Sequence, residues 1–461
     1  MHVGSWHEHI DLNVRFELES LLGARVSMVR MQEDEVRRGI RAVYGESSAQ
    51  SLIDSVQNTG EILSSGDSHA IDDLRALANE APVIRLVSML LAEALTARAS
   101  DVHLEAYPDS MRVRYRVDGV LQDAPSPPRS MAPAVISRLK VMANLDIAER
   151  RLPQDGRIRL PLQDRQVDVR VSTVPTLHGE SVVLRLLDQE SGTLELNGLG
   201  MSVNDLTRFQ HVLERPHGIV LATGPTGSGK TTTLYAAIQR LRTGREKILT
   251  VEDPVEYQLA GIPQVPVNEK VGVTFASALR ALLRQDPDVM LVGEIRDGET
   301  ADIATQAALT GHLGLSTLHT TDAAGALTRL MDLGVAPFLV SATVGAVLAQ
   351  RLVRTVCPAC AVPAPATGAE RDALGAPGLE NVMRGTGCGV CRDSGYVGRT
   401  GVYELLVITE AMQAALTSGE GVRAVRQLAR ADGNATLLDD GARLVAEGRT
   451  TPEEVVRVCR A

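Results

Sequence analysis

Aromatic residues are scarce in this chain of 461 residues: one Trp, seven Tyr and four Phe, 3% of the total. Base-stacking platforms need such side chains, so single-stranded nucleic acid is a poor ligand for it. Excess positive charge is also lacking, since the net charge is −10, which excludes a whole-protein electrostatic grip on nucleic acid or anionic lipid. No long apolar run is present. His2, His7, Glu8, His9 and Asp11 follow Met1 at once, so no signal peptide is expected. The longest uncharged stretch, Leu333–Gln350, is short for a membrane span and carries Pro337 with several Gly, Ser and Thr; it reads as a buried helix. A cytoplasmic protein is expected, with membrane association only through a partner. Cysteine is sparse, with five residues, four of them in Cys357-Pro-Ala-Cys360 and Cys388-Gly-Val-Cys391. Paired C-x-x-C motifs in a cytosolic chain point to metal rather than disulfides, and four thiolates close a structural Zn²⁺ site. Cys459 is left over as an ordinary thiol.

What is present is 44% hydrophobic and 23% charged, a globular composition with room for two to four domains. Residues 1–45 hold a small mixed pattern: Phe16, Leu18, Leu21 and Leu22 at helical spacing, an extended Val26–Val29 and an amphipathic Glu33–Val43. Residues 46–78 form a Ser-rich linker. An α/β domain spans 79–188, with a helix from Ala81-Pro82 and strands at Asp101–Glu105, Met111–Val117, Arg157–Leu160, Gln166–Val171 and Ser181–Leu187. A second linker, 189–200, leads into 201–461, where strands alternate with helices as in a doubly wound nucleotide-binding core. The Ala-, Pro- and Gly-rich Ala361–Gly378 reads as loop.

The chemistry concentrates in 201–461. The apolar Gly218–Thr223 ends at Gly224-Pro225-Thr226-Gly227-Ser228-Gly229-Lys230-Thr231-Thr232, and a helix follows. A strand, a Gly-rich turn and a helix N-terminus form a phosphate-binding loop. In it Lys230 meets the β/γ-phosphates and the Thr231 hydroxyl ligates Mg²⁺. ATP and Mg²⁺ are the expected ligands. Two further strands, Ile248–Val251 and Val289–Val292, end in Glu252 and in Gly293-Glu294, where carboxylates of an open parallel sheet reach a ligand. Arg280 and Arg284 lie four apart on an expected helix Phe275–Arg284, and His312 and His319 bracket Leu313–Leu318.

Taken together, GPTGSGKTTTLYA (224–236), ILTVEDPVEY (248–257), LRQDPDVMLVGEIRD (283–297), TGHLGLSTLHTTDA (310–323) and the four cysteines resemble the secretion ATPases of the type II secretion and type IV pilus families. ASDVHLE (99–105), RYRVDG (114–119) and RLPQDGRIRL (151–160) extend the resemblance toward the N-terminus. It implies an α/β architecture: a RecA-like ATPase domain with a zinc-binding insertion, preceded by a PAS-like domain and a shortened N-terminal docking segment. It also implies a homohexamer energising type II secretion, docked on the cytoplasmic domain of an inner-membrane platform protein, with no nucleic acid partner. Pilus assembly is the alternative, and a DNA-transfer motor the more distant one. By motif, Arg157, Arg170, Arg280 and Arg284 match arginines that close on the phosphates. Glu252 falls in an acidic box and Glu294 in a Walker B element, one orienting water and the other serving the Mg²⁺ shell. The Mg²⁺-linked role leans to Glu294. His312 and His319 match a histidine box linking phosphate state to domain motion.

Overall fold

Two units divide the chain, Met1–Leu186 and Leu187–Ala461. The computed structural model describes residues 77–162, 165–188 and 195–460, with Ile53 and two short paired strands, β1 (His2–Ser5) and β2 (Ser27–Arg30). β2 overlaps the extended stretch expected at Val26–Val29. The helices expected within Phe16–Leu22 and Glu33–Val43, and most of the expected linkers 46–78 and 189–200, lie outside the described residues. The end of the second linker is not a free connector, since Leu196–Gly198 forms a tight helical turn with Leu196 and Leu199 buried in the core of the second unit.

In the first unit, Pro82 opens α1 (Ala81–Thr96), where its missing N–H costs nothing, and Val83, Leu86, Val87, Leu90, Leu91 and Ala94 form its buried stripe. In β3 (Ala99–Ala106) and β4 (Met111–Val117) the residues alternate by face. Met111, Val113 and Tyr115 point inward between Arg112, Arg114 and Arg116. Asp118 and Gly119 both have positive φ, the conformation of a tight hairpin turn, and return the chain into β5 (Val120–Ala124). After α2 (Ala132–Met142) come β6 (Gln154–Leu162), β7 (Arg165–Thr176) and β8 (Gly179–Asp188). The sheet order is β5-β4-β3-β8-β7-β6. Its inner face shares one core with α1 and α2. The buried Lys140 of α2 pairs with Glu180 at 2.6 Å and also donates to the Glu149 carbonyl at 2.7 Å.

In the second unit, α3 (Val203–Leu213) precedes β9 (Gly218–Thr223) and α4 (Lys230–Leu241). Then follow β10 (Ile248–Glu252), β11 (Gln264–Pro266), α5 (Phe275–Leu282), β12 (Val289–Val292), α6 (Gly298–Leu309), β13 (Leu313–Leu318) and α7 (Ala323–Asp332). Every residue of β9, β10 and β12 is buried, as strands covered on both faces require. With β14 (Val344–Val356) and β17 (Tyr396–Val407), the sheet order is β11-β10-β12-β13-β9-β14-β17, parallel except for the last pair.

Three expectations need correction here. Leu333–Gln350 is not one helix: α8 covers only Pro337–Thr343, and β14 (Val344–Val356) begins at once. An apolar run satisfies a buried helix and a buried strand equally, and pairing with β9 decided for the strand. Ala361–Gly378 is no loop, since β15 (Ala361–Pro365) pairs with β16 (Asn381–Gly385) and α9 (Gly368–Leu374) lies between them. A reciprocal cap between Thr367 and Glu370 starts α9. Nor does the alternation persist to the end. β17 (Tyr396–Val407) runs antiparallel to β14, and four helices follow: α10 (Glu410–Thr417), α11 (Gly421–Ala431), α12 (Leu437–Ala446) and α13 (Pro452–Cys459).

Candidate active site at the phosphate loop

β9 delivers the chain to a turn that only glycine permits. Gly224 has φ +147°, and a Cβ there would stand 2.5 Å from the Gln350 carbonyl oxygen. Gly229 has φ +87° and would meet the Gln350 amide at 2.7 Å. α4 begins at Lys230, so the unpaired N–H groups of its first turn face the loop. Lys230 is buried, and its Nζ donates to the carbonyls of Gly224 at 2.8 Å and Pro225 at 3.1 Å. Burial, with a smaller push from the charge of Arg351, pulls its ammonium down to about 8 against the opposing charge of Glu294. The Ser228 hydroxyl is buried with no partner among the described residues. An orphaned donor, a cradle closed to any Cβ and a desolvated cation together fit a phosphate group.

The two acidic strand tips differ. Glu252 ends β10 fully enclosed: Thr250 donates to Oε1 at 2.5 Å, Gln264 to the same oxygen at 3.0 Å, and Tyr235 of α4 to Oε2. Burial and the Glu252 carboxylate both push the Tyr235 hydroxyl pKa up, which keeps it a donor. Glu294, just beyond β12, is partly open. It pairs with Arg296, and His319 Nε2 stands 3.4 Å from its Oε2.

Each remaining expected residue has a definite place. His319, at the ligand end of β13, joins Glu294. His312 sits at the other end of that strand, roughly 20 Å away at strand rise, where Nδ1 meets the Ala307 carbonyl at 2.9 Å. The structure therefore does not join the two histidines into one cluster. Arg280, in the last turn of α5, pairs with Glu299 of α6. The helix stops at Leu282, and Arg284 lies in a following tight turn, where it donates to the Arg280 carbonyl at 3.0 Å. The expected helix Phe275–Arg284 is thus shorter, and the two guanidinium groups have separate partners. Arg157 and Arg170 belong to the first unit, directly opposite one another on β6 and β7.

Sequence reading missed Tyr235, Gln264, Gln350, Arg296 and Arg351. Thr233 donates to Gln350 Oε1 at 2.8 Å, tying α4 to β14 behind the loop. No motif reports such contacts, because the partners lie up to 117 residues apart.

Away from the loop, the four thiols converge where β14 ends and β17 begins. Their sulfurs lie within 4.8 Å of one another, with Cys357–Cys388 at 3.9 Å, Cys360–Cys391 at 3.8 Å and Cys388–Cys391 at 3.7 Å. Four sulfurs about 2.3 Å from a central ion would stand about 3.8 Å apart in a tetrahedron. Cys391 also accepts N–H bonds from Cys388 at 3.1 Å and Gly395 at 3.3 Å, as a thiolate would. The donor set can hold a metal ion and leaves no position open for substrate.

Comparison with known proteins bears on the family and the fold. A family model described as "Type II/IV secretion system protein" matches residues 76–457. The chain is 49% identical over 456 residues to "Type II secretion system protein E" of Pseudomonas aeruginosa, covering 98% of this chain and 91% of that one. It is 50% identical over 391 residues to "Type II secretion system ATPase E" of Vibrio cholerae, covering 84% and 78%. Among solved structures, the Legionella pneumophila ATPase DotB aligns with a TM-score of 0.60 at 20% identity, over 82% of this chain and 95% of that one. The pilus retraction motor PilT with bound ADP gives 0.55 at 24% identity, over 80% and 95%. At these identities the two structures bear on the fold alone.

Proposed function

The chain belongs to the type II/IV secretion system ATPase family, and from that premise we propose how its residues divide the work of ATP hydrolysis. The protein is an ATP-hydrolysing enzyme of type II secretion. One observation carries the residue assignment: a buried Lys230 and an orphaned Ser228 hydroxyl inside a glycine cradle at a helix N-terminus.

Residues Gly224–Thr232 hold the phosphates, and the Thr231 hydroxyl is the ligand for Mg²⁺. That ion, when bound, neutralises developing charge on the phosphate oxygens. Glu294, to which the sequence leaned for the Mg²⁺-linked role, is instead the carboxylate that meets the attacking water, since it is partly open, feels the charge of Lys230 and stands beside His319. Glu252 acts through its neighbours, holding α4 and β11 against the tip of β10. His319 adjusts Glu294. Arg157 and Arg170, brought in by domain closure or by a neighbouring subunit of a homohexamer, add positive charge around the phosphates together with Arg280 and Arg284. The four cysteines hold a structural Zn²⁺. No helix among the described residues is long and apolar enough to cross a membrane. An inner-membrane protein's cytoplasmic domain is the proposed docking partner.

The deciding experiment is ATP turnover by the purified chain, alone and with that cytoplasmic domain. Lys230→Ala should abolish turnover while leaving the far-ultraviolet dichroism unchanged. Near-parental activity in that variant would overturn the phosphate-loop assignment. Turnover stimulated by DNA, and not by the membrane partner, would favour a DNA motor instead.

A further inference from the structure

Arg351 has no part in the assignments above, yet it lies directly beneath the phosphate loop. β14 runs parallel to β9, with Ala349 beside Thr223, so the next residues of β14 continue under Gly224. Arg351 is only 9% exposed, and a Cβ on Gly224 would stand 3.0 Å from its Nη1. Nη1 donates to the Gln350 carbonyl at 3.1 Å and Nη2 to the Thr321 carbonyl at 2.8 Å. Thr321 follows β13 in the segment that carries His319. In that same segment the Thr320 hydroxyl bonds the Thr223 hydroxyl at 2.7 Å. A single guanidinium thus ties β14 to the segment after β13 and lies against the start of the loop.

The electrostatics are unusual. Among the described residues, no carboxylate lies within ion-pair distance of Arg351. Burial lowers its pKa, and Cys459 and Glu404 oppose that shift only from a distance. A guanidinium nonetheless keeps its proton at any ordinary pH. Lys230 is a second buried cation, bonded among the described residues only to carbonyls, and the charge of Arg351 adds to burial in pulling its pKa down. Two like charges under a turn lined with N–H groups repel each other, and a multivalent anion seated in that turn relieves the repulsion.

We propose that Arg351 is a positioning residue for ATP. It is a fixed cation in the floor of the phosphate loop, and its bridge to Thr321 holds the His319 segment in register with the nucleotide. This inference rests on the phosphate-loop reading. A lysine supplies the charge but cannot span both carbonyls, because it lacks the planar fork.

The test uses the full chain and its Arg351→Met and Arg351→Lys variants. Melting midpoints are measured without nucleotide and with Mg-ADP, alongside KM and kcat for ATP. Arg351→Met removes an unpaired buried charge, so its nucleotide-free midpoint should equal or exceed the parent's. Its Mg-ADP increment should shrink and its KM rise about tenfold or more. Arg351→Lys should recover KM and leave kcat low. A merely structural role predicts the reverse: a lower nucleotide-free midpoint, or no folded protein, with an undiminished increment where folding survives. Either result would overturn the proposal. A parent chain with no Mg-ADP increment would overturn the phosphate-loop reading together with it.

Discussion

The tips of β10 and β12 lie side by side in one sheet, in register from Ile248 opposite Val289, and each leads to a glutamate. Residue type and strand position make them equivalent, and their surroundings make them opposites. Glu252 is 3% exposed, and both of its oxygens accept bonds from within the fold. The Glu294 side chain is 16% exposed and faces Arg296, His319 and the charge of Lys230. A carboxylate already supplied with internal donors serves the scaffold. One that is partly open beside the phosphate loop serves the reaction. The number of internal donors separates the two roles.

That contrast is most directly broken by Glu294→Gln, which preserves shape and removes the charge. We expect kcat to fall about 10²-fold or more with the melting midpoint unchanged. Parental turnover would remove Glu294 from the site.

A pH titration sharpens the same contrast from the side of Lys230. Burial brings its folded pKa from an ordinary 10.5 to about 8, so between those values the unfolded chain holds the proton and the folded chain does not. Stability of the nucleotide-free fold therefore rises with pH across that window. Bound phosphate demands the ammonium form and lifts the pKa again. Mg-ADP affinity should then fall above about pH 8, by up to tenfold per pH unit, with proton uptake on binding. Calorimetry in buffers of different ionisation heat measures that uptake. Affinity that is flat across the window would contradict the desolvated lysine.

Glu252→Gln should do the converse of Glu294→Gln. An amide presents N–H where Tyr235 or Thr250 now donates, costing about 1–3 kcal/mol of stability and several degrees of melting midpoint. The loss of kcat should be much smaller than for Glu294→Gln. If kcat collapses and stability holds, the two roles are exchanged.

The smallest effect on turnover is expected at the thiol cluster. Chelation, or Cys357→Ser, should release one Zn²⁺ per chain and lower the melting midpoint while leaving initial ATP turnover close to parental, since four thiolates leave no open coordination position. Metal analysis that finds no zinc in unchelated protein would sink this assignment.

By itself the sequence determined whatever is encoded in contiguous residues. Gly224–Thr231 specifies its own turn because its glycines adopt positive φ and its last residues start a helix. The C-x-x-C pairs fix two ligands each, and the runs before Glu252 and Gly293, short, apolar and rich in β-branched residues, mark buried strands. Tertiary structure alone decided what depends on neighbours distant in sequence. Pairing with β9 made Val344–Val356 a strand, although its composition suits a helix equally. The length of β13 carried His312 away from His319. Tyr235 and Gln264 closed around Glu252 and left Glu294 open, and β14 brought Arg351 beneath Gly224. Burial and hydrogen bonding are set by the elements packed on either side of a residue, and those elements come from parts of the chain that no local pattern connects.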